Sequence, residues 1–91
     1  MPLLPGRILG YDVERMAFVF TMFNGPQEIE CRISASAMDD LAGGRGTAAA
    51  ERESQFLQQR EAIERIASQK FDGGTFVSGI VVRVFAKDIP K

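Results

Sequence analysis

The run MAFVFTMF, residues 16–23, is followed by Asn24-Gly25-Pro26 and then by QEIECRIS, residues 27–34. Both runs are rich in strand formers. Asn and Gly tolerate positive φ and Pro presets its own, so the three residues between the runs predict a tight turn and a hairpin. In the second run Ile29, Cys31 and Ile33 alternate with Glu28, Glu30, Arg32 and Ser34, the period-2 pattern of a strand with one wet face. In the first run Met16, Phe18, Phe20 and Met22 occupy one face and Ala17, Val19, Thr21 and Phe23 the other. Both are mostly apolar, which predicts a central strand covered on both sides. A hairpin this apolar cannot stand alone, and the remaining segments or a partner chain must cover its second face.

Upstream, RILGY (7–11) is a short apolar stretch and DVER (12–15) offers turn residues. Downstream, Ser34 or Ser36 can cap a short helix whose early positions include Asp39 and Asp40, carboxylates suited to the positive end of the helix dipole. Met38 and Leu41 would be its buried face, and Gly43 sits where a left-handed terminator is expected. GGRGT (43–47) reads as a flexible connection, with Thr47 as N-cap of a long helix through about Lys70. Phe56, Ile63, Ile66 and Ala67 recur there at helical spacing, Leu57 and Phe71 widen the stripe, and Arg60-Glu64 and Glu61-Arg65 pair at i,i+4 on the far side. At about 1.5 Å per residue this helix is some 35 Å long, enough to cross a small sheet with its N-terminal turns projecting.

Asp72-Gly73-Gly74 should end the helix, and TFVSGIVVRVF (75–85) is strongly β-prone. Phe76, Ile80, Val82 and Val84 fall on one face of that run, and Val77, Gly79, Val81, Arg83 and Phe85 on the other. The order β-β-β-α-α-β predicts an α+β fold: an antiparallel sheet of about four strands with one short and one long helix packed on one face. Ninety-one residues should form a single domain, 1–91.

Composition narrows the chemistry. The chain has no histidine and one cysteine, so Ser-His-Asp and Cys-His arrangements, histidine bases and His-containing zinc sites each lose a required member. We therefore expect no catalytic residues, no metal site, no cofactor and no small-molecule substrate. Eleven Lys plus Arg against twelve Asp plus Glu leave a net charge of -1, without the strongly basic balance of a nucleic-acid binder. A single cysteine suits a reducing cytoplasm, and no apolar run approaches the length that spans a bilayer. The expected setting is cytoplasmic, without membrane.

Each candidate site has a plain structural reading. Cys31 beside Arg32 could be an activated thiolate, but consecutive strand residues point to opposite faces, which favours a buried hydrophobe. Asp39 and Asp40 diverge by about 100° on a helix and cannot close on one ion alone, so helix-start carboxylates are the better reading. The Gly43–Thr47 loop with Arg45 has the ingredients of an anion cradle but lacks the Lys-Ser/Thr ending of a P-loop. Arg7, Arg32, Lys70 and Arg83 could form a basic strip on one sheet face, with Phe23 and Phe85 to stack bases. Glu28 and Glu30 on the same face would oppose phosphate.

The segments IECRISASAMDD (29–40), Phe56, REAIERIA (60–67) and a closing β segment ending in AKDI together resemble small bacterial proteins of the domain-of-unknown-function 1488 family, over roughly residues 7–89. That resemblance implies a small α+β domain and carries no catalytic residues onto Cys31, Asp39 or Asp40. The chain departs from the family in its GGRG segment. A one-layer sheet would leave Val19, Phe23, Val81 and Phe85 facing water, and such apolar patches mark interfaces. The expected role is a non-enzymatic protein-interaction or regulatory accessory domain, homodimeric. The alternative is a nucleic-acid-binding accessory protein using Arg32, Arg45 and Arg83.

Overall fold

The computed structural model describes residues 3–43, 48–73 and 81–89. Its elements run β1 (Leu4–Asp12), β2 (Ala17–Asn24), β3 (Gln27–Ser34), α1 (Ala35–Ala42), α2 (Arg52–Gly73) and β4 (Val82–Val84), with 3-10 turns at Ala49–Glu51 and Ala86–Asp88. The strands form one sheet in the order β1-β2-β3-β4. This is the expected α+β fold with the expected order of elements.

The hairpin forms as its turn chemistry dictates. Asn24 pairs with Gln27, and Gly25 takes φ 59°, the positive value that the first central residue of a primed hairpin turn requires. From there the register runs without a shift through Met22↔Ile29, Phe20↔Cys31 and Phe18↔Ile33. All six of these side chains are buried on the inner face, where both helices pack. The inner face of β4 adds Val82 and Val84, and α2 contributes Phe56, Ile63, Ile66 and Ala67. The Phe56 ring stacks on Phe18 with centroids 4.6 Å apart and planes 19° apart, and lies 4.9 Å from Phe20. Three aromatic rings in contact bring offset-stacking energy beyond their buried area.

Three contacts set the direction of α2. The Arg52 guanidinium lies 5.5 Å over the Tyr11 ring, Arg60 donates to the Gly6 carbonyl at 3.3 Å, and the Leu3 N–H donates to Ser68 Oγ at 3.1 Å. As α2 advances it therefore runs backwards along β1, whose direction β3 shares because β1-β2 and β2-β3 are both antiparallel. The 22 residues of α2 span about 33 Å, so the chain returns to the start of β3. Accordingly β4 pairs parallel to β3, with Cys31↔Val82, Arg32↔Arg83 and Ile33↔Val84. The expectation of a wholly antiparallel sheet is corrected here for its last strand: a crossover that carries the chain back along one face delivers the next strand in the same sense.

Local expectations meet the structure unevenly. Ser34 is the N-cap of α1, accepting from the Ala37 N–H, and Gly43 ends the helix at φ 73°. Asp39 and Asp40 lie beyond the first turn of α1, so neither is a helix-start carboxylate. The long helix begins at Arg52, after a 3-10 turn, and Thr47 lies outside the described residues. Its first turn does not project, since Arg52 is buried against Tyr11. Leu57 is exposed rather than part of the apolar stripe, and Met16, with φ 52°, is turn and not strand. Of the predicted strand 75–85, residues 75–80 lie outside the described residues. No helix among the described residues is long and apolar enough to cross a membrane.

At its start β1 bends over the outer face. Its pairing with β2 shifts between Pro5 and Ile8 and again between Ile8 and Gly10. Gly6 sits so close to β2 that a Cβ there would lie 2.5 Å from Thr21 Oγ1 and 2.6 Å from the Thr21 carbonyl oxygen. Backbone cannot yield as a flexible side chain does, so Gly6→Ala should cost about 1–3 kcal/mol as an overpacking change. Urea unfolding checks this: the midpoint should fall with an unchanged m-value.

Candidate functional site

The face of the sheet opposite the helices is where the strand alternation sends polar side chains. On it stand Ala17, Val19, Thr21 and Phe23 of β2 and Glu28, Glu30, Arg32 and Ser34 of β3. Beside them are Arg83, which pairs with Arg32 across β3-β4, and the flanking Val81 and Phe85. Val19, Phe23 and Val81 are half-buried, and Phe85 is 44% exposed. The expected second cover on β2 therefore comes partly from its own neighbours.

Two ion pairs neutralise much of this face. Arg7 forms a fork with Glu28, Nε to Oε2 at 2.7 Å and a second guanidinium nitrogen to Oε1 at 2.9 Å. Thr21 lies beneath, its hydroxyl accepting from the Arg7 N–H and donating to Glu28 Oε2, each at 2.8 Å. Hydrogen bonds from Arg7 and then Thr21 hold the Glu28 carboxyl below its ordinary range, and the same bond raises Arg7. Along β3, Arg32 binds Glu30 at 2.7 Å. Lys70 belongs to α2 and points elsewhere, 2.7 Å from Asp88 and 5.1 Å over the Phe85 ring. The basic strip expected from Arg7, Arg32, Lys70 and Arg83 is thus not assembled: Arg7 is clamped by Glu28 and Lys70, carried by α2, is paired with Asp88. Arg45 lies outside the described residues.

Two of those arginines do meet. Arg32 and Arg83 stand opposite each other on adjacent strands, and with Arg15 they line a concavity of about 300 Å³. Ala17, Ser34, Val84 and Phe85 complete its wall. Arg15 reaches Asp12 only at 3.7 Å, and Arg83 is exposed with no acidic partner among the described residues. Phe85 is held at the rim by its own N–H, which donates to Asp88 Oδ2 at 2.9 Å. Burial works to raise the Asp88 carboxyl, but hydrogen bonds from Lys70 and the Phe85 N–H, with the Lys70 and Lys87 charges, hold it low.

The thiol and the acidic doublet lie elsewhere. Cys31 is fully buried on the inner face, its Sγ 3.7 Å from the Ile29 carbonyl, while Arg32 is on the outer one. Burial, with lesser effects of Glu30 and Glu64, pushes its thiol up to about 12. Asp39 accepts from Arg52 at 2.8 Å and from Gln55 at 3.0 Å, and Asp40 is exposed. Arg52 is 5% exposed and also donates to Gln55 at 2.7 Å, and its buried Nε meets no acceptor among the described residues. Sequence reasoning missed Arg52, because an arginine near a helix start gives no sign that it will be buried. Among the described residues no three His, Cys, Asp or Glu side chains gather as a metal site would need.

Two predictions follow from these positions. Native protein should not react with a thiol reagent at mildly alkaline pH, and full reaction should appear only on unfolding. Because the folded thiol keeps its proton from the ordinary 9.0 up to about 12, unfolding releases a proton in that window and stability falls as pH rises through it. Cys31→Ala should flatten that slope in urea titrations run at several pH values. Separately, Asp39→Ala leaves the Arg52 charge buried and uncompensated, at a cost of about 3–5 kcal/mol. The double variant Asp39→Ala/Arg52→Met should recover part of that loss in thermal melts, and Asp40→Ala should stay within about 0.5 kcal/mol of wild type.

A family model described as "Protein of unknown function (DUF1488)" matches residues 5–81. Among solved structures, a protein of unknown function from the DUF1488 family of Shewanella loihica PV-4 is similar, with a TM-score of 0.77 and 24% identity over 90% of this chain and 90% of that one. At that identity the likeness speaks for the fold alone. No curated protein matches the chain.

Proposed function

The chain belongs to the DUF1488 family, and we propose that it is a non-enzymatic accessory domain of the cytoplasm that docks a protein partner on its outer sheet face. One observation carries this reading: the face left open by the helices holds a concavity ringed by Arg15, Arg32 and Arg83 with Phe85 exposed at its edge. Arginine and aromatic side chains are the residue types enriched at the energetic centres of protein interfaces. Half-buried Val19, Phe23 and Val81 add apolar area elsewhere on the same face. The non-enzymatic reading is supported by the chain's lack of histidine, by a cysteine buried as the neutral thiol and by Asp39's engagement with Arg52.

We assign self-association to the β1 edge. Leu4, Leu9, Val13 and Met16, on β1 and the turn after it, are each 50–65% exposed. Pro5 and the two register shifts of β1 discourage edge-to-edge strand pairing, so a second copy would meet these side chains rather than extend the ladder. Homodimerisation through Leu4 and Leu9 leaves the β4 side of the concavity open, whereas Val13 and Met16 flank Arg15 in the turn that lines it, so a dimer reaching that turn competes with the partner. The nucleic-acid alternative through Arg32, Arg45 and Arg83 has Glu28 and Glu30 on the same face against it.

Affinity capture from the native host, wild type beside Phe85→Asp, tests the docking surface. A protein retained by wild type and lost with the variant is the expected result, and equal retention by both counts against it. Sedimentation at rising concentration tests the dimer: Leu9→Asp/Val13→Asp should shift the population towards monomer, and a wild type that stays monomeric removes self-association.

A further inference from the structure

We propose that the concavity recognises an acidic side chain flanked by an apolar residue in an extended segment of the partner protein. This rests on the docking reading above and names the chemistry of what docks. The starting point is a like-charge juxtaposition. Arg32 and Arg83 face each other across the parallel β3-β4 pair, an arrangement that is unfavourable by itself. Glu30 serves Arg32, but it lies two residues away along the same strand and leaves Arg83 without an acidic partner among the described residues. Arg15 closes the ring with only a long contact to Asp12, at 3.7 Å. An arriving carboxylate relieves the repulsion and takes up the planar guanidinium forks in bidentate geometry.

The apolar half of the site selects the neighbour of that carboxylate. Ala17 supplies apolar wall, and Phe85 stands at the rim, 44% exposed and held by Asp88. A side chain such as Phe or Leu next to the acid covers this surface. About 300 Å³ is the low end of the range for small-molecule pockets, room for one or two side chains.

The same geometry argues against other anions. A nucleic-acid strand following β3 away from Arg32 would meet only the closed Arg32-Glu30 and Arg7-Glu28 pairs, which offer a run of phosphates no further open cation. A chain-terminal carboxylate is usually captured by a nest of backbone N–H groups, whereas every cation here is a side chain. Ser34 Oγ already accepts from the Ala37 N–H, which leaves its hydroxyl hydrogen as a further donor towards the site.

Fluorescence anisotropy with labelled synthetic peptides tests the inference. The probe is Gly-Ser-Asp-Phe-Glu-Leu-Ser-Gly, compared with the same peptide carrying Asn and Gln in place of the acids, and with single-stranded oligothymidylate. Saturable binding of the acidic peptide is expected, weakened at least about tenfold for the amide form, as loss of charge-assisted bonds implies. Arg83→Ala should weaken it similarly and Arg83→Glu should abolish it, while Arg7→Ala, outside the concavity, should change it less than about twofold. Arg83 is exposed, so these variants keep the fold, which circular dichroism verifies. Equal binding of acidic and amide peptides, or no binding of either up to about 1 mM, overturns the acidic specificity and leaves the docking face to the capture experiment. Binding of the oligonucleotide with none of the peptide overturns both readings.

Discussion

Everything on the outer face depends on where Phe56 sits. Its ring stacks on Phe18 and touches Phe20, so the long helix is anchored on the inner face at the middle of the hairpin. Burying one Phe side chain fully is worth about 2–3 kcal/mol, and here the ring also locks the two β2 residues that define the inner face. Since successive strand residues point to opposite sides, that one anchor assigns every odd residue of β2 and every even residue of β3 to the open face. The arginine-lined concavity is the consequence: Arg32 is outside because Cys31 and Ile33 are inside.

The two sides of the sheet treat charge differently. Inside, Arg52 is accommodated at the seam of α1, α2 and β1 by Asp39, Gln55 and the Tyr11 face. An ion pair so buried contributes chiefly by being complete, since removing either partner leaves a charge in a medium that solvates it poorly. Outside, the Arg7-Glu28 and Arg32-Glu30 pairs are partly solvated and contribute little to stability. Their effect is on potential. They cancel charge along β3 and leave Arg15 and Arg83, with Lys87 beside the Phe85 ring, as the cations of the concavity, which favours recognition of a discrete anionic group over adhesion to a polyanion.

How far the candidate site could be read in advance differs from residue to residue. Arg32, Arg83 and Phe85 were assignable to the outer face from alternation alone, and the structure brings them together. Arg15 is a turn residue by local sequence, and its arrival beside them follows from the short β1-β2 connection that places residues 12–15 at the end of the sheet where β3 finishes. Arg7 and Lys70 group with the other basic residues in the sequence because charge is visible there and the partner that neutralises it is not. Glu28 and Asp88 claim those two side chains through contacts across 21 and 18 residues. Leu57 shows the limit of helical periodicity: the width of the buried stripe is set by the shape of the sheet beneath it, and α2 turns that residue to solvent.

Local chemistry by itself determined the hairpin, the inward Ile29, Cys31 and Ile33, the Ser34 cap and the Gly43 stop, because each depends on residues within a few positions of one another. Tertiary structure alone decided the sense of β4, the burial of Arg52 and the meeting of Arg32 with Arg83. Those outcomes turn on which way α2 runs across the sheet. That direction comes from contacts between Arg52 and Tyr11, Arg60 and Gly6, and Ser68 and Leu3, pairs separated by tens of residues whose energies no local pattern encodes.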